Sequence, residues 1–417
     1  MKIEAAVLHE FKQPFSIEPV ELADPVSHQV LVKIAACGIC HTDEMCQAGF
    51  RTPAPAVLGH EGSGIVEKIG PDVTGIHVGD HVVLSFPSCG HCPNCQSGHN
   101  NICYDNLKLN FGGFHPDGSR PLSQNGQPLS SFFGQSSFAT YAIADVSNVV
   151  VVDPDVDLRL LGPLGCGIQT GAGTVINTLK AQPGDSIVVF GTGSVGLSAL
   201  MAAKASGCTT IIAVDVVDAR LETARSLGAT HVINSKSVND LVAEILSIES
   251  AGVDCALDTT GIPFCIKSAL GALKKGGKGA GLAVTGRMEM DAWTDLFRAK
   301  SWTHVIEGDC VPQVFIPRLI RMYKACIFPF DKIIRYFSFE GINDAFAASH
   351  DGRAIKAVVV MEKTRFLKRT QTSNRRRTAD RRPAPFVCAV AARGMRRSTK
   401  RSRCRCMNMK FCGYFGH

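Results

Sequence analysis

The sequence lacks any uninterrupted apolar run long enough to cross a bilayer. Its charge-free stretch Ser186–Ala203 is broken by Gly191, Gly193 and Gly196, which favour a turn over a membrane helix. An N-terminal apolar core is also missing. The opening MKIEAAVLHEFKQPF meets Glu4 and Glu10 too early for a secretory signal, so a cytoplasmic protein is expected. No internal repeat of fixed period is found. Apolar residues themselves are plentiful, at 45% of 417, which excludes a wholly disordered chain. That length suits two domains of ordinary size.

The formal net charge of +7 conceals two unlike parts. From Lys363 onward 17 Lys and Arg stand against Asp380 alone, whereas the preceding residues carry 27 basic and 36 acidic side chains, a balance of −9. An acidic globular body is therefore joined to a basic segment, 362–417, with no sustained period and few aliphatics. That segment is expected to be a disordered tail. An arm for nucleic acid or anionic membrane is one use of such charge; a functionless extension is the reading favoured here.

Cysteine is abundant, with four in the tail and thirteen in the body. An odd number without a secretory signal argues against a disulfide framework. Cys89, Cys92, Cys95 and Cys103 follow the spacing C-x2-C-x2-C-x7-C, with Gly90, Pro93, Asn94 and Gly98 supplying tight turns. Two-residue spacers let successive thiolates turn onto one ion, and four thiolates close a tetrahedron around Zn2+. Reduced thiols and an iron–sulfur cluster are the competing readings. With no position left open, this zinc would be structural. His91 and His99 read as solvated lobe residues, and Cys37 and Cys46 as small buried thiols.

Along the first 150 residues, short alternating runs such as VLVKIAAC, GSGIVEKIG and DHVVLS indicate a mostly antiparallel β domain. From about Leu164 the rhythm changes. Strand-like segments Ser186–Phe190, Thr210–Asp215, His231–Asn234 and Asp254–Thr260 alternate with helical ones, the pattern of βαβ units and a parallel sheet. After Trp302 the pattern reads as irregular through Met361. Between the first strand of this region and its helix lies G-T-G-S-V-G, residues 191–196. In that context Gly191 makes the tight turn, Gly193 lets the backbone approach a pyrophosphate, and Gly196 allows close helix–strand packing. The free N–H groups of the helix start, beside Val195, attract the diphosphate. Asp215, ending the next strand, would bond the adenosine ribose and repel a 2′-phosphate, which favours NAD over NADP. Arg220 is close enough to cover the adenosine side.

Three further segments carry soft or imidazole ligands: G-I-C-H-T-D (38–43), G-H-E-G-S-G (59–64) and P-L-G-C-G (163–167). Here the residues match a family. GHEGSGIVEKIGPDV (59–73) resembles the signature of zinc-dependent alcohol dehydrogenases of the medium-chain superfamily. The cysteine lobe and the glycine-rich unit fall in that family's order and separations, over residues 1–361. The resemblance implies an α/β architecture. A GroES-like, mostly antiparallel β catalytic domain (1–167, with a structural zinc lobe at 88–104) is followed by a Rossmann NAD-binding domain (168–306) and a return to the catalytic domain (307–361). It implies two Zn2+ per subunit. Cys40, His60 and Cys166 match the catalytic ligands, leaving a fourth position open. Glu61 matches a carboxylate beside the metal, Asp43 an acid that orients His60, and Thr42 a hydroxyl that takes the alcohol proton. His41 matches a position facing the coenzyme pyrophosphate. Small-molecule alcohol and aldehyde partners are implied, with a homodimer or homotetramer and no membrane.

There are departures. Met45 stands where some relatives carry the histidine that ends a proton relay, so protons would leave through water or His41. V-I-E-G-D (305–309) puts an acid where many relatives have a second glycine. With F-P-F-D-K-I-I (328–334), it resembles the aryl-alcohol (benzyl alcohol) dehydrogenase subgroup, implying primary aromatic or allylic alcohols. Phe111, Phe114, Phe132 and Phe133 are candidates for apolar lining. A geraniol or glutathione-adduct-oxidising dehydrogenase stays open as an alternative, as does a non-enzymatic binder acting through its tail.

Overall fold

The computed structural model describes residues 1–361; the expectations for the basic tail lie outside the described residues. Three sheets organise the chain. The alternating N-terminal runs form a five-stranded sheet (Lys2–Leu8, Ser16–Leu22, Ala56–Val57, Leu122–Gln124, Gln127–Pro128), antiparallel throughout. A seven-stranded sheet is centred on Gln29–Gly38, which pairs antiparallel with Glu61–Ile69, Tyr141–Asp145 and Lys356–Val360. Alternation along these strands buries one face: Ala6, Val32, Val66 and Val359 share a single core, which Phe138 joins from a loop. Each fully buried Val or Phe side chain among them contributes roughly 1.5–3 kcal/mol.

The third sheet is parallel, in the order His231–Asn234, Thr210–Asp215, Ser186–Phe190, Val253–Asp258, Leu273–Gly281, Ser301–His304. Parallel strands must be covered on both faces. Accordingly Ile187, Val189 and Leu257 face one apolar core, and Val188, Phe190 and Ala256 face another. Helix Asp218–Leu227 ends at Gly228, whose φ of 127° closes it. The sheet reverses its winding between Ser186–Phe190 and Val253–Asp258, the crevice where open α/β sheets bind ligands.

Two details differ from the sequence reading. The fourth strand of the parallel sheet is Val253–Asp258, so Thr259 and Thr260 fall in the turn beyond it. The stretch after Trp302 is ordered: it contains helices Pro312–Lys324 and Ile342–His350 and strands Ile334–Ser338 and Lys356–Val360. Pro317 inside the first of these helices masks its period, although the helix buries a face of Phe315, Ile316, Leu319 and Ile320. The last strand returns to pair with Gln29–Gly38, placing Val359 opposite Cys37.

Candidate active site

Three chain segments converge on one crevice. Cys40 caps the helix His41–Gln47 directly after the central strand. His60 precedes the strand Glu61–Ile69, and Cys166 lies between the turn Gly162–Gly165 and the helix Gly167–Gly173. One ligand atom each from Cys40, His60, Glu61 and Cys166 lies within 4.8 Å of the others. Asp43, fully buried, ties two of these segments together. Its Oδ2 accepts from the Cys40 N–H (3.0 Å) and its Oδ1 from the Gly59 N–H (3.2 Å), while the same Oδ1 meets His60 Nδ1 at 3.0 Å. The imidazole is thereby fixed, and His60 Nε2, buried, is left without a partner. Phe133 stacks on the His60 ring at 4.5 Å and Phe132 meets it edge-on at 5.4 Å, with Phe111 behind both.

The electrostatics suit a cation. Burial opposes charging His60, but Asp43 and Cys40 outweigh it and hold the imidazole well above its ordinary range. The Cys166 thiol, hydrogen-bonded to Cys40, holds Cys40 well below the usual thiol range and is itself pushed up by the same contact and by burial. Two sulfurs and an imidazole with a free nitrogen, in largely buried surroundings, make a donor set that fits Zn2+. Thr42 Oγ1 lies 3.8 Å from Cys40 Sγ, in the first turn of the helix that Cys40 caps. His41 points outward to Glu44 Oε2 (3.2 Å) and with Met45 lines a groove of about 580 Å³ between its helix and Ile342–His350.

Two site residues were not assigned from sequence. Lys356, only 2% exposed, reaches Glu61 with its Nζ 2.9 Å from each carboxylate oxygen and donates to the Ile39 carbonyl at 3.0 Å. The signal was a lone lysine opening the apolar run KAVVV. Burial pushes Glu61 up to about 7, against the pull of Lys356. Gly38 leaves the room this pair needs, since a Cβ there would fall 2.0 Å from Glu61 Oε2. The second is Glu307, noted in the E-G-D segment without a role, whose Oε1 is 3.4 Å from Cys166 Sγ.

The four-cysteine lobe gathers Cys89, Cys92, Cys95 and Cys103 within the same 4.8 Å limit. Backbone N–H groups of Cys92, Cys89 and Cys95 donate to the sulfurs of Cys89, Cys103 and Cys92 at 3.3, 3.4 and 3.5 Å. Such bonds stabilise thiolates, and the set fits a closed tetrahedral site. His91 and His99 are exposed, while Cys37 and Cys46 are buried.

At the head of the parallel sheet, Gly191 has φ 86°, and a Cβ on Gly196 would lie 1.9 Å from the Gly191 carbonyl oxygen. Gly193 faces open space as the N-cap of helix Ser194–Ala205, with Val195 in its first turn. Asp215 Oδ2 accepts from the Thr192 N–H and Oγ1–H, both at 2.7 Å, and Oδ1 from the Val216 and Val217 N–H groups at 2.7 and 3.0 Å. All of its lone pairs are thus engaged within the chain. The guanidinium of Arg220 lies against Gly352.

Residues 26–154 match the family model for the alcohol dehydrogenase GroES-like domain, and residues 194–324 that for zinc-binding dehydrogenases. The chain is 46% identical over 365 residues to geraniol dehydrogenase of Castellaniella defragrans, covering 86% of this chain and 97% of that one. It is 36% identical over 373 residues to a class-3 alcohol dehydrogenase of Caenorhabditis elegans, with the same coverage. Among solved structures, benzyl alcohol dehydrogenase of Acinetobacter calcoaceticus superposes with a TM-score of 0.84 at 44% identity, over 87% of this chain and 100% of that one.

Proposed function

The chain belongs to the zinc-dependent alcohol dehydrogenases of the medium-chain superfamily, and from that membership we propose that it oxidises a primary aromatic or allylic alcohol to its aldehyde, passing hydride to NAD and releasing a proton. The observation that carries this reading is the Cys40–His60–Cys166 set, with His60 and Cys166 buried and Cys40 half-buried, and its unpartnered His60 Nε2. When bound, a zinc ion there supplies Lewis acidity and the nicotinamide supplies a hydride acceptor.

The chain's own residues do the rest. Cys40, His60 and Cys166 hold the cation, and Asp43 fixes the imidazole through Nδ1 so that Nε2 faces it. The Thr42 hydroxyl takes the alcohol proton. With Met45 in place of a relay histidine, the proton leaves through water or His41. Phe132 and Phe133 keep the His60 ring in place and exclude water behind it. The Phe50–Phe111–Phe132–Phe133 cluster gives this side of the site an aromatic character, which supports an aryl or allylic substrate. Gly191, Gly193 and Gly196 leave the diphosphate its approach to the helix start. Because the lone pairs of Asp215 are occupied, it acts through negative charge, turning away a 2′-phosphate, while Arg220 covers the adenosine side.

A second, structural zinc sits in the four-cysteine lobe of this reading. The thirteen free cysteines among the described residues support a reducing, cytoplasmic setting, and the family supports a homodimer or homotetramer. The test is NADH formation with benzyl alcohol, geraniol and a glutathione hemithioacetal, before and after a chelator strips the crevice ion. Turnover of the first two that is lost on chelation is expected. Oxidation of the glutathione adduct alone would overturn the substrate class, and no turnover of any would overturn the reading.

A further inference from the structure

The segment that follows the edge strand Ser301–His304 makes a tight turn with left-handed backbone. Glu307, Gly308 and Asp309 have φ of 51°, 68° and 52°, three successive residues in the left-handed region that side chains rarely adopt. Gly308 is pressed onto the helix Gly167–Gly173; a Cβ there would lie 2.5 Å from the Gln169 carbonyl oxygen. The turn is held from two sides. Asn177 Nδ2 donates to the carbonyls of Gly308 (3.1 Å) and Asp309 (3.2 Å). From the four-cysteine lobe, Asn101 Nδ2 donates to the Ile306 carbonyl at 3.0 Å, and His99 meets Asp309 at 3.4 Å.

This bracing aims one group. Glu307 turns its carboxylate inward, with Oε2 accepting from Gln169 Nε2 (3.2 Å) and Thr170 Oγ1 (3.4 Å) and Oε1 3.4 Å from Cys166 Sγ. Among the described residues it has no lysine or arginine partner, since Lys356 is engaged by Glu61. Glu307 is also outside the four residues whose ligand atoms gather within 4.8 Å. His60 lends it positive charge from across the site, but a carboxylate set against a ligand sulfur is better compensated when a cation sits on the sulfur's far side.

We propose that Glu307 is a positioning residue for the crevice cation, acting through Cys166: it fixes the sulfur's orientation and adds negative charge one residue beyond the ligand. This rests on the reading of Cys40, His60 and Cys166 as a cation site. Glu307→Gln keeps the shape of the side chain while removing the charge: its amide oxygen can still accept from Gln169 and Thr170, and its N–H faces Cys166 Sγ in place of an acceptor.

The experiment loads the full chain with cobalt(II), records its visible thiolate-to-metal absorption, and follows release of each ion to a chelator. For Glu307→Gln, release of the crevice ion is expected to be roughly 10- to 100-fold easier than in the unaltered protein. Its cobalt absorption should shift, and Glu307→Asp should recover part of both. The lobe ion should be retained as before, which shows that the variant is folded. Crevice affinity within about twofold of the unaltered protein would overturn the proposal. Weakened affinity with an unshifted cobalt spectrum would overturn action through Cys166. An unaltered protein that binds only the lobe ion would overturn the cation-site reading, and this proposal with it.

Discussion

Replacing Lys356 by methionine should destabilise the protein out of proportion to the size of the change. Its Nζ sits 2.9 Å from both oxygens of Glu61, and neither side chain is more than 2% exposed. At an effective dielectric of ~20 the attraction at that distance is ~6 kcal/mol, most of it offset by the desolvation of two ions. The pair as a whole is therefore worth little. Removing one partner is different, because it leaves a buried carboxylate without a countercharge, at a cost of about 3–5 kcal/mol.

The cost should depend on pH, with a definite sign. Burial already pushes Glu61 up to about 7 from 4.5 with Lys356 present. Without Lys356 its folded pKa rises further. Above the unfolded value the folded state then binds the extra proton, so stability falls as pH rises, by at most ~1.4 kcal/mol per pH unit. Chemical denaturation of the metal-loaded protein at several pH values measures this. Adding Glu61→Gln should recover most of the loss, since both charges are then gone. A Lys356→Met variant within about 1 kcal/mol of the unaltered protein, or a double variant showing the full sum of the single losses, would show that the buried carboxylate does not depend on Lys356.

Further outcomes are expected. Cys95→Ser should remove one ion per chain and lower stability by more than about 3 kcal/mol while the crevice ion stays, because a structural zinc contributes folding energy; metal analysis with thermal unfolding checks it. Asp215→Ala should raise the NADP/NAD ratio of kcat/KM by roughly 10- to 100-fold, worth about 1.4–2.7 kcal/mol. It should also cost stability, because four donors lose their acceptor, and an unaltered ratio would contradict the charge argument. Burial pushes His115 down to about 4 from 6.5. Only the unfolded chain takes up that proton as pH falls from about 6.5 to about 4, so stability is lost over that window by up to ~3 kcal/mol. His115→Gln should flatten this slope in acid unfolding curves.

Much of this structure is legible in the sequence because its strongest signals are local. The glycine-rich turn, the alternating strands and the four closely spaced cysteines each state their geometry within a few residues. The exact bounds of Ser186–Phe190, Thr210–Asp215 and His231–Asn234 follow from apolar runs closed by turn residues. What could not be read was set by distant pairing. Lys356 meets Glu61 only because the last strand returns beside Gln29–Gly38, a contact 295 residues apart in the chain. The Glu307 turn depends on partners from a helix and from the cysteine lobe, and its left-handed backbone leaves no mark in composition. Helix Pro312–Lys324 was hidden by Pro317, whose helical position is tolerated by packing that a local reading does not see.

Cys40, His60 and Cys166 are expected to hold a zinc ion distinct from that of the four-cysteine lobe. The most direct test is the zinc content per chain of the purified protein and of Cys166→Ala, each with its NAD-dependent oxidation of benzyl alcohol. Two ions and turnover are expected for the first, and for the second one ion, a folded chain and no turnover. A Cys166→Ala protein that keeps both ions, or keeps full turnover, would contradict it.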